Sequence, residues 1–363
     1  GFIHGGIVVA WFLLGLGISS GYLGKVNKLS AHTSKIQSTF QQYYKLISLI
    51  EKQEFKSELL VAQKSQIVTD SEKASGVLHQ FSRLLNRLDQ RNNMLIGVVS
   101  NGFFLRDLKV SFDIEQWIET HHKKVANWFD VIHFYDAYNS LANYDFNQPT
   151  HTYPMIQEEG ALLQATAAAH PLLDPKTAVR NDITISEAQF FIITGANMAG
   201  KSTFLRTVAL QIVMANMGLP TDAAQSHYTP IKLITSMRTT DSLQDDASYF
   251  YSELTRLKFI VDAIKQDRYF IILDEILKGT NSTDKANGSK KFIEKLVRSK
   301  STGIIATHDL SLCTTAEDFD AVKNYYFDAE IIDDELYFDY TFKKGICQNM
   351  NASFLLKKMG IVD

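Results

Sequence analysis

Cysteine is nearly absent: Cys313 and Cys347 are the two in 363 residues. They stand far apart, with no CxxC and no histidine at ligand spacing, which excludes a disulfide framework and a zinc site and fits a reducing compartment. Net charge is scarce too. With 37 Lys and Arg against 40 Asp and Glu, a formal net charge of -3, the chain has no broad basic surface to coat nucleic acid; only a local basic groove stays open to it. Proline is thin at six residues. Four of them, Pro149, Pro154, Pro171 and Pro175, crowd one stretch and mark a change of character. Charge of either sign is missing from Phe2 to Leu23, where His4 is the only strongly polar side chain.

A run of about 20 apolar residues is the length a helix needs to cross a bilayer. A buried soluble helix competes with that reading, but seven glycines from Gly1 to Gly24 would weaken it, whereas membrane helices tolerate glycine. A transmembrane helix is therefore expected over residues 1–25. It has neither the basic leader nor the cleavage motif of a signal peptide. Lys25, Lys28 and Lys35 follow it, which by the positive-inside rule places the rest of the chain in the cytoplasm, anchored to the membrane.

Residues 26–150 read as a helical lever or stalk. Leu29, Ile36, Phe40, Tyr43, Ile47 and Ile50 recur at helical spacing. The polar stretch Gln63 to Ser75 reads as a break. A second helix carries Leu78, Phe81, Leu84, Leu85 and Leu88 and leads into "MLIGVVSNGFFL", Met94 to Leu105. That run is too short to span a membrane, so a buried helix is expected. A third helical segment, Asp113 to Asn143, is rich in aromatics. It holds His121 and His122 beside Lys123 and Lys124, which without a carboxylate or Cys ligand pattern reads as a solvated face.

Past the prolines, over residues 151–363, strands alternate with helices: "QFFIIT", a Gly-rich loop and a helix, "RYFIILDE", another helix, then "TGIIATHD". This is the grammar of an α/β fold with a parallel sheet covered by helices. "AEIIDDELYFDYTF" reads as a hairpin turning at Asp333 and Asp334, and a short helix, Ala352 to Met359, is expected to close the chain.

Gly195, Gly200, Lys201 and Ser202 satisfy GxxxxGK[ST] between a predicted strand and a predicted helix. Glycines there let backbone N–H groups wrap phosphate oxygens, and the helix start adds partial positive charge. Lys201 would reach the β and γ phosphates of ATP and Ser202 would ligate Mg²⁺. "YFIILDE" supplies an apolar strand ending in Asp274, which can hold the Mg²⁺ shell, and Glu275, which can polarise the attacking water. "IIATHDL" puts His308 at the end of another strand, where an imidazole could sense the γ phosphate. P-loop, Asp-Glu and strand-end His together indicate a P-loop NTPase of the ABC-type ATPase branch, preceded by the helical lever and the transmembrane helix. No LSGGQ-like signature precedes Walker B, which argues against a transport ATPase.

"HPLL" (His170 to Leu173), "RNDI" (Arg180 to Ile183), "TGANMAGKSTFLR", "MRTTDSLQDDASYFYSEL", "LDEILKGTNSTD" and "ATHDL" follow in that order. This series resembles the ATPase domain of the MutS mismatch-repair family over Ala169 to Asp363, with a weaker likeness to its lever region over Ser75 to Pro149. The resemblance implies that two ATPase domains pair, here as a homodimer, and that a serine at a helix start in the partner subunit completes each site. Ser248 stands at that position, with Asp246 and Ala247 where the family usually has Gly and Arg; a plain N-cap role remains open to it. Asn197 and Met198 match the family's "NM" loop, with Thr203 continuing the nucleotide-binding run, and Asp284 matches its dimer-facing loop after Walker B. The aromatic that the family carries before "PND" is replaced by Ala178 and Val179. The wedge that reads mismatches is a Phe-x-Glu in a separate N-terminal domain. The only Phe-x-Glu here, Phe292 to Glu294, falls in the helix after Walker B, where it could not enter a base stack. The expectation is a membrane-anchored MutS-like ATPase without a mismatch-recognition domain, with DNA as a weakly supported partner. The alternative is a membrane-tethered ATP-dependent switch or scaffold whose client is a protein.

Overall fold

The chain divides into two units between residues 143 and 144. The computed structural model describes residues 2–69, 72–237, 249–277, 281–332 and 335–348. The closing helix expected at Ala352 to Met359, the turn at Asp333 and Asp334, and Ser248 lie outside them.

The first unit is helical. Helix α1 (Phe2–Lys52) is followed by α2 (Glu58–Ser65), α3 (Ala74–Asp89), α4 (Met94–Phe104) and α5 (Arg106–Asn147). The apolar run and the amphipathic segment expected after it are thus one uninterrupted helix. No proline stands in its 51 residues, and its glycines weaken a helix without removing a backbone donor. Its stretch Gly5–Thr33 is long and apolar enough to cross a membrane by length and composition. The expected break at Gln63 to Ser75 is shorter than predicted, since α2 runs to Ser65 and an isolated bridge joins Val68 to Lys73.

Helix α3 buries Val77, Leu78, Phe81, Leu84, Leu85 and Leu88, the three-and-four spacing that gives a helix one apolar face. That face packs on Val26 and Ile47 of α1 and on Val110, Ile114, Trp117, Trp128 and Val131 of α5. Phe81 stacks on Trp117 with ring centroids 4.0 Å apart. The indole of Trp117 donates to the Val77 carbonyl at 3.2 Å, so its polar edge is satisfied inside the core. His121 is not on a solvated face as expected: it stacks on Trp117 and lies 3.7 Å from Glu72. His122 is exposed.

Helix α4 corrects a second expectation. Its apolar run is helical but not buried, with Leu95 79% and Phe104 75% exposed. Hydrophobic content alone does not say which solvent a helix faces.

The second unit contains strands β1 (Met155–Ile156), β2 (Leu163–Ala168), β3 (Asn181–Ile185) and β4 (Phe190–Gly195), helix α6 (Lys201–Asn216), strands β5 (Gln225–Tyr228) and β6 (Lys232–Ser236), and helix α7 (Tyr249–Ala263). Strand β7 (Tyr269–Asp274), helix α8 (Ser282–Arg298), strand β8 (Thr302–Ala306), helix α9 (Thr315–Asp318) and strands β9 (Val322–Phe327), β10 (Glu330–Ile332), β11 (Glu335–Tyr337) and β12 (Lys343–Lys344) follow. A six-stranded sheet runs β12-β9-β4-β8-β7-β6, parallel except for β12 at its edge. A second sheet runs β1-β5-β2-β3, and β10 and β11 form the expected hairpin.

Because side chains alternate across a strand, each central strand feeds two cores. Phe191, Ile193, Phe270 and Ile272 join Leu205, Val208 and Ile212 of α6 on one face. Phe190, Ile192, Ile271 and Leu273 join Leu257 and Ile260 of α7 and Ile293 and Leu296 of α8 on the other. Phe292 packs against this second core. The parallel strands therefore end together along one edge, with β4, β8 and β7 adjacent.

Candidate functional site

At that edge β4 ends in Gly195, whose φ of +144° and close approach to the Phe327 carbonyl leave no room for a side chain; an added Cβ would lie 2.4 Å from that oxygen. The loop turns through Met198 at φ +66° and Gly200 at φ +102°, and α6 begins at Lys201. Its first N–H groups have no side-chain cap. A sixteen-residue helix thus opens onto the cavity with its N-terminal N–H groups and the positive end of its dipole, an arrangement that attracts phosphate.

Lys201 is only 5% exposed. Its Nζ donates to the carbonyl oxygens of Gly195 at 2.8 Å and Ala196 at 2.7 Å and lies 3.4 Å from His308 Nε2. The next residue, Ser202, donates its hydroxyl to Asp274 Oδ2 at 2.8 Å, across from α6 to the end of β7. Glu275 follows at φ +51°, its N–H bonded to the Ala306 carbonyl at 2.9 Å. Its Oε1 lies 2.8 Å from His308 Nε2, just past the end of β8. So five residues picked from three separate motifs meet in one place. Ser202 and Asp274 offer one hydroxyl and one carboxylate oxygen side by side, a donor set that suits Mg²⁺, which keeps most of its shell for water and substrate phosphates. Among the described residues no group of three or more His, Cys, Asp or Glu side chains could cage a metal by itself.

A cavity of about 460 Å³ opens here. Its polar wall is Asn197, Lys201, Ser202, Thr203 and Glu275, and its apolar wall includes Val179, Met198 and Tyr340. His170, also on the wall, is pushed below its ordinary pKa, chiefly by burial and then by the Arg206 guanidinium, so it is neutral at physiological pH. Asp284 stands in the first turn of α8 and not in a loop. Its N–H donates to Asn281 Oδ1 at 2.8 Å and its carboxylate accepts from Asn281 Nδ2 at 2.7 Å, so the pair caps that helix.

Residues 191–357 match MutS domain V. The similarity to MutS proteins extends to individual relatives. DNA mismatch repair protein MSH4 of Arabidopsis thaliana is 30% identical over 227 residues, 61% of this chain and 28% of that protein. Endonuclease MutS2 of Clostridium novyi (strain NT) is 29% identical over 213 residues, 58% of this chain and 27% of that protein. DNA mismatch repair protein MutS of Aquifex pyrophilus is 32% identical over 201 residues, 53% and 22% respectively. The chain thus spans less than a third of the length of these curated relatives. The family resemblance drawn from the motifs is supported for the MutS-like region.

One wall residue of the MutS-like region was not anticipated. Tyr340 reaches the P-loop from far along the chain, its Cδ1 3.1 Å from where a Cβ on Gly200 would stand. It is held there by Asn181, whose Nδ2 donates to the Tyr340 carbonyl at 3.0 Å and whose Oδ1 accepts from the Phe342 N–H at 2.7 Å. The "RNDI" stretch therefore fastens the segment 340–342 over the cavity. No periodicity connects positions 159 and 161 residues apart. The only local hint was an aromatic cluster, Tyr337, Phe338, Tyr340 and Phe342, in excess of what a hairpin needs.

Proposed function

We propose that this chain is a Mg²⁺-dependent ATPase of the MutS type, tethered to the membrane by the apolar part of α1 with its nucleotide site in the cytoplasm. The observation that carries the ATPase reading is the meeting of Lys201, the Ser202–Asp274 pair and the Glu275–His308 pair at one cavity beside a helix N-terminus. The P-loop backbone and the start of α6 would hold the phosphates, with Lys201 leaving the Gly195 and Ala196 carbonyls to meet them. Bound by Ser202 and Asp274, Mg²⁺ would neutralise charge on the β and γ phosphates. Glu275 would accept a proton from the attacking water, and His308, bonded to it, would orient that carboxylate and contact the γ phosphate. Asn197, Met198 and Thr203 complete the nucleotide contacts.

The base would lie against the apolar wall that includes Tyr340. Replacing Tyr340 with Ala is expected to weaken ATP binding by about 1–3 kcal/mol, the usual range for losing a base–aromatic stack. Tyr340→Phe should keep most of the affinity. Titration calorimetry with ATP on the three proteins measures this, and equal affinities for wild type and the Ala variant would remove Tyr340 from the base site.

Pairing of two such domains as a homodimer, with Ser248 reaching across and Asp284 near the shared surface, extends this reading; opening and closing of the heads would use the helices of residues 26–150 as levers. The relatives' names speak of DNA mismatch repair, and DNA is a candidate partner on that ground. A net charge of -3 and the lack of a basic, aromatic-rich cluster favour the second reading, a membrane-tethered switch acting on a protein. Two measurements test the ATPase reading and the partner in turn. Steady ATP turnover that needs Mg²⁺ is expected, and its absence would defeat the ATPase reading. Fluorescence anisotropy with duplex DNA at low salt, with and without ATP, tests the partner: binding that weakens as salt rises supports DNA, and no binding in either state leaves the protein-directed switch.

A further inference from the structure

Helix α4 is apolar, exposed and unexplained by the nucleotide site. We propose that residues 92–105 form a re-entrant membrane element, entering the hydrocarbon beside the apolar part of α1 and leaving by the same face of the bilayer. This rests on the membrane-tether reading of α1.

The two ends of the segment are tied together. Arg91 Nε lies 3.2 Å from Asp107 Oδ2, and Arg106 Nη2 donates to Gln90 Oε1 at 2.6 Å and to the Arg87 carbonyl at 3.2 Å. The residues that flank α4 on its two sides therefore lie within side-chain reach of one another. Between these ends no residue carries a charge. Leu105, at φ +49°, ends α4 and lets α5 begin at Arg106, while Asn101 Oδ1 accepts from the Asp107 N–H at 2.8 Å and so uses its polar end on the backbone of α5. The helix of 11 residues is about 16 Å long, roughly half of a hydrocarbon core of about 30 Å. It is too short to cross.

Its inner side is built against α1. A Cβ on Gly15 would lie 2.1 Å from the Gly102 carbonyl oxygen, so the two backbones touch, the close approach that small residues give membrane helices. Phe12 and Phe103 have ring centroids 5.0 Å apart, and the Trp11 indole donates to the Phe103 carbonyl at 3.2 Å. Its outer side exposes Leu95, Val98, Val99 and Phe104. On α1, Ile7, Val8, Val9, Leu13 and Leu14 are exposed around most of the axis, outside the side that α4 covers, rather than along one stripe. A partner protein would cover one stripe; lipid covers all sides. Charge marks where the hydrocarbon would stop. The exposed Lys25 and Lys28 follow the apolar part of α1 and would meet anionic headgroups there.

The test uses the full chain in vesicles of phosphatidylcholine and phosphatidylglycerol. Single cysteines are placed at Val9→Cys on α1, Leu95→Cys and Phe104→Cys on α4, and Glu119→Cys on α5, each labelled with the environment-sensitive fluorophore NBD. The native thiols are buried, and that of Cys313 is pushed up to about 11 by burial and the Asp309 carboxylate, so the unsubstituted protein gives the labelling blank. Labels at 9, 95 and 104 should lose most of their emission to spin-labelled acyl chains, and the label at 119 should lose little. Quenching at 9 but not at 95 or 104 would overturn the proposal and leave the tether intact. No quenching at 9 would remove the tether reading and the proposal with it. In vesicles where Glu119→Cys reacts fully with an impermeant maleimide, Asp89→Cys and Lys109→Cys should react to the same extent. Reaction at only one of the two would mean that the segment crosses, and would overturn re-entry.

Discussion

Replacing Glu275 with Gln should leave ATP bound while slowing its hydrolysis by about 10²–10⁴-fold, the contribution usual for a positioned general base. The substitution keeps the length of the side chain and leaves an amide that can still bond to His308 Nε2, now 2.8 Å from Glu275 Oε1. It removes only the capacity to take a proton. The backbone of residue 275 is held independently by the Ala306 carbonyl, so the loop keeps its course. Phosphate release under multiple turnover, beside a direct ATP-binding measurement, separates the two effects. Turnover equal to wild type would mean that Glu275 is not the base.

Lys201→Met should act earlier, on binding itself. Charge-assisted hydrogen bonds are worth about 1.5–3 kcal/mol each, so losing contacts to two phosphates should weaken ATP by two orders of magnitude or more. The ammonium also bonds to the Gly195 and Ala196 carbonyls, so some loss of thermal stability is expected. The Tm of each protein with and without ATP distinguishes these: wild type should gain stability with ATP and the variant should not. An unchanged ATP affinity in a folded Lys201→Met protein would refute the phosphate role.

Much of the site could be read in the sequence because the chemistry restricts which residues can stand there. A loop that wraps phosphate needs Gly195 and Gly200 at positive φ, and apolar strands that run parallel must end at one edge, which brings Asp274 and His308 beside Lys201. The β1-β5-β2-β3 sheet was not legible. Its strands are short, and the alternation of β2 holds only for its first four residues before a register shift between Ala165 and Ala168, too few to stand out. The exposure of α4 and the buried face of His121 escaped for a different reason: periodicity reports a helix but not its surroundings. Tyr340 escaped because its position depends on the long-range bonds of Asn181.

Those bonds of Asn181 also set an order of events during synthesis. The P-loop leaves the ribosome well before residues 340–342, and strand β12, which pairs with β9, comes later still. Until that strap has been made, a nascent chain would hold a phosphate cradle with no aromatic wall, exposing the flank of Phe204 and Phe327 that Phe342 covers, with centroids 4.3 and 5.7 Å away. The aromatic contact to the base would therefore be acquired after the phosphate cradle, and a chaperone would meet this part of the domain as an apolar surface waiting for strand β12.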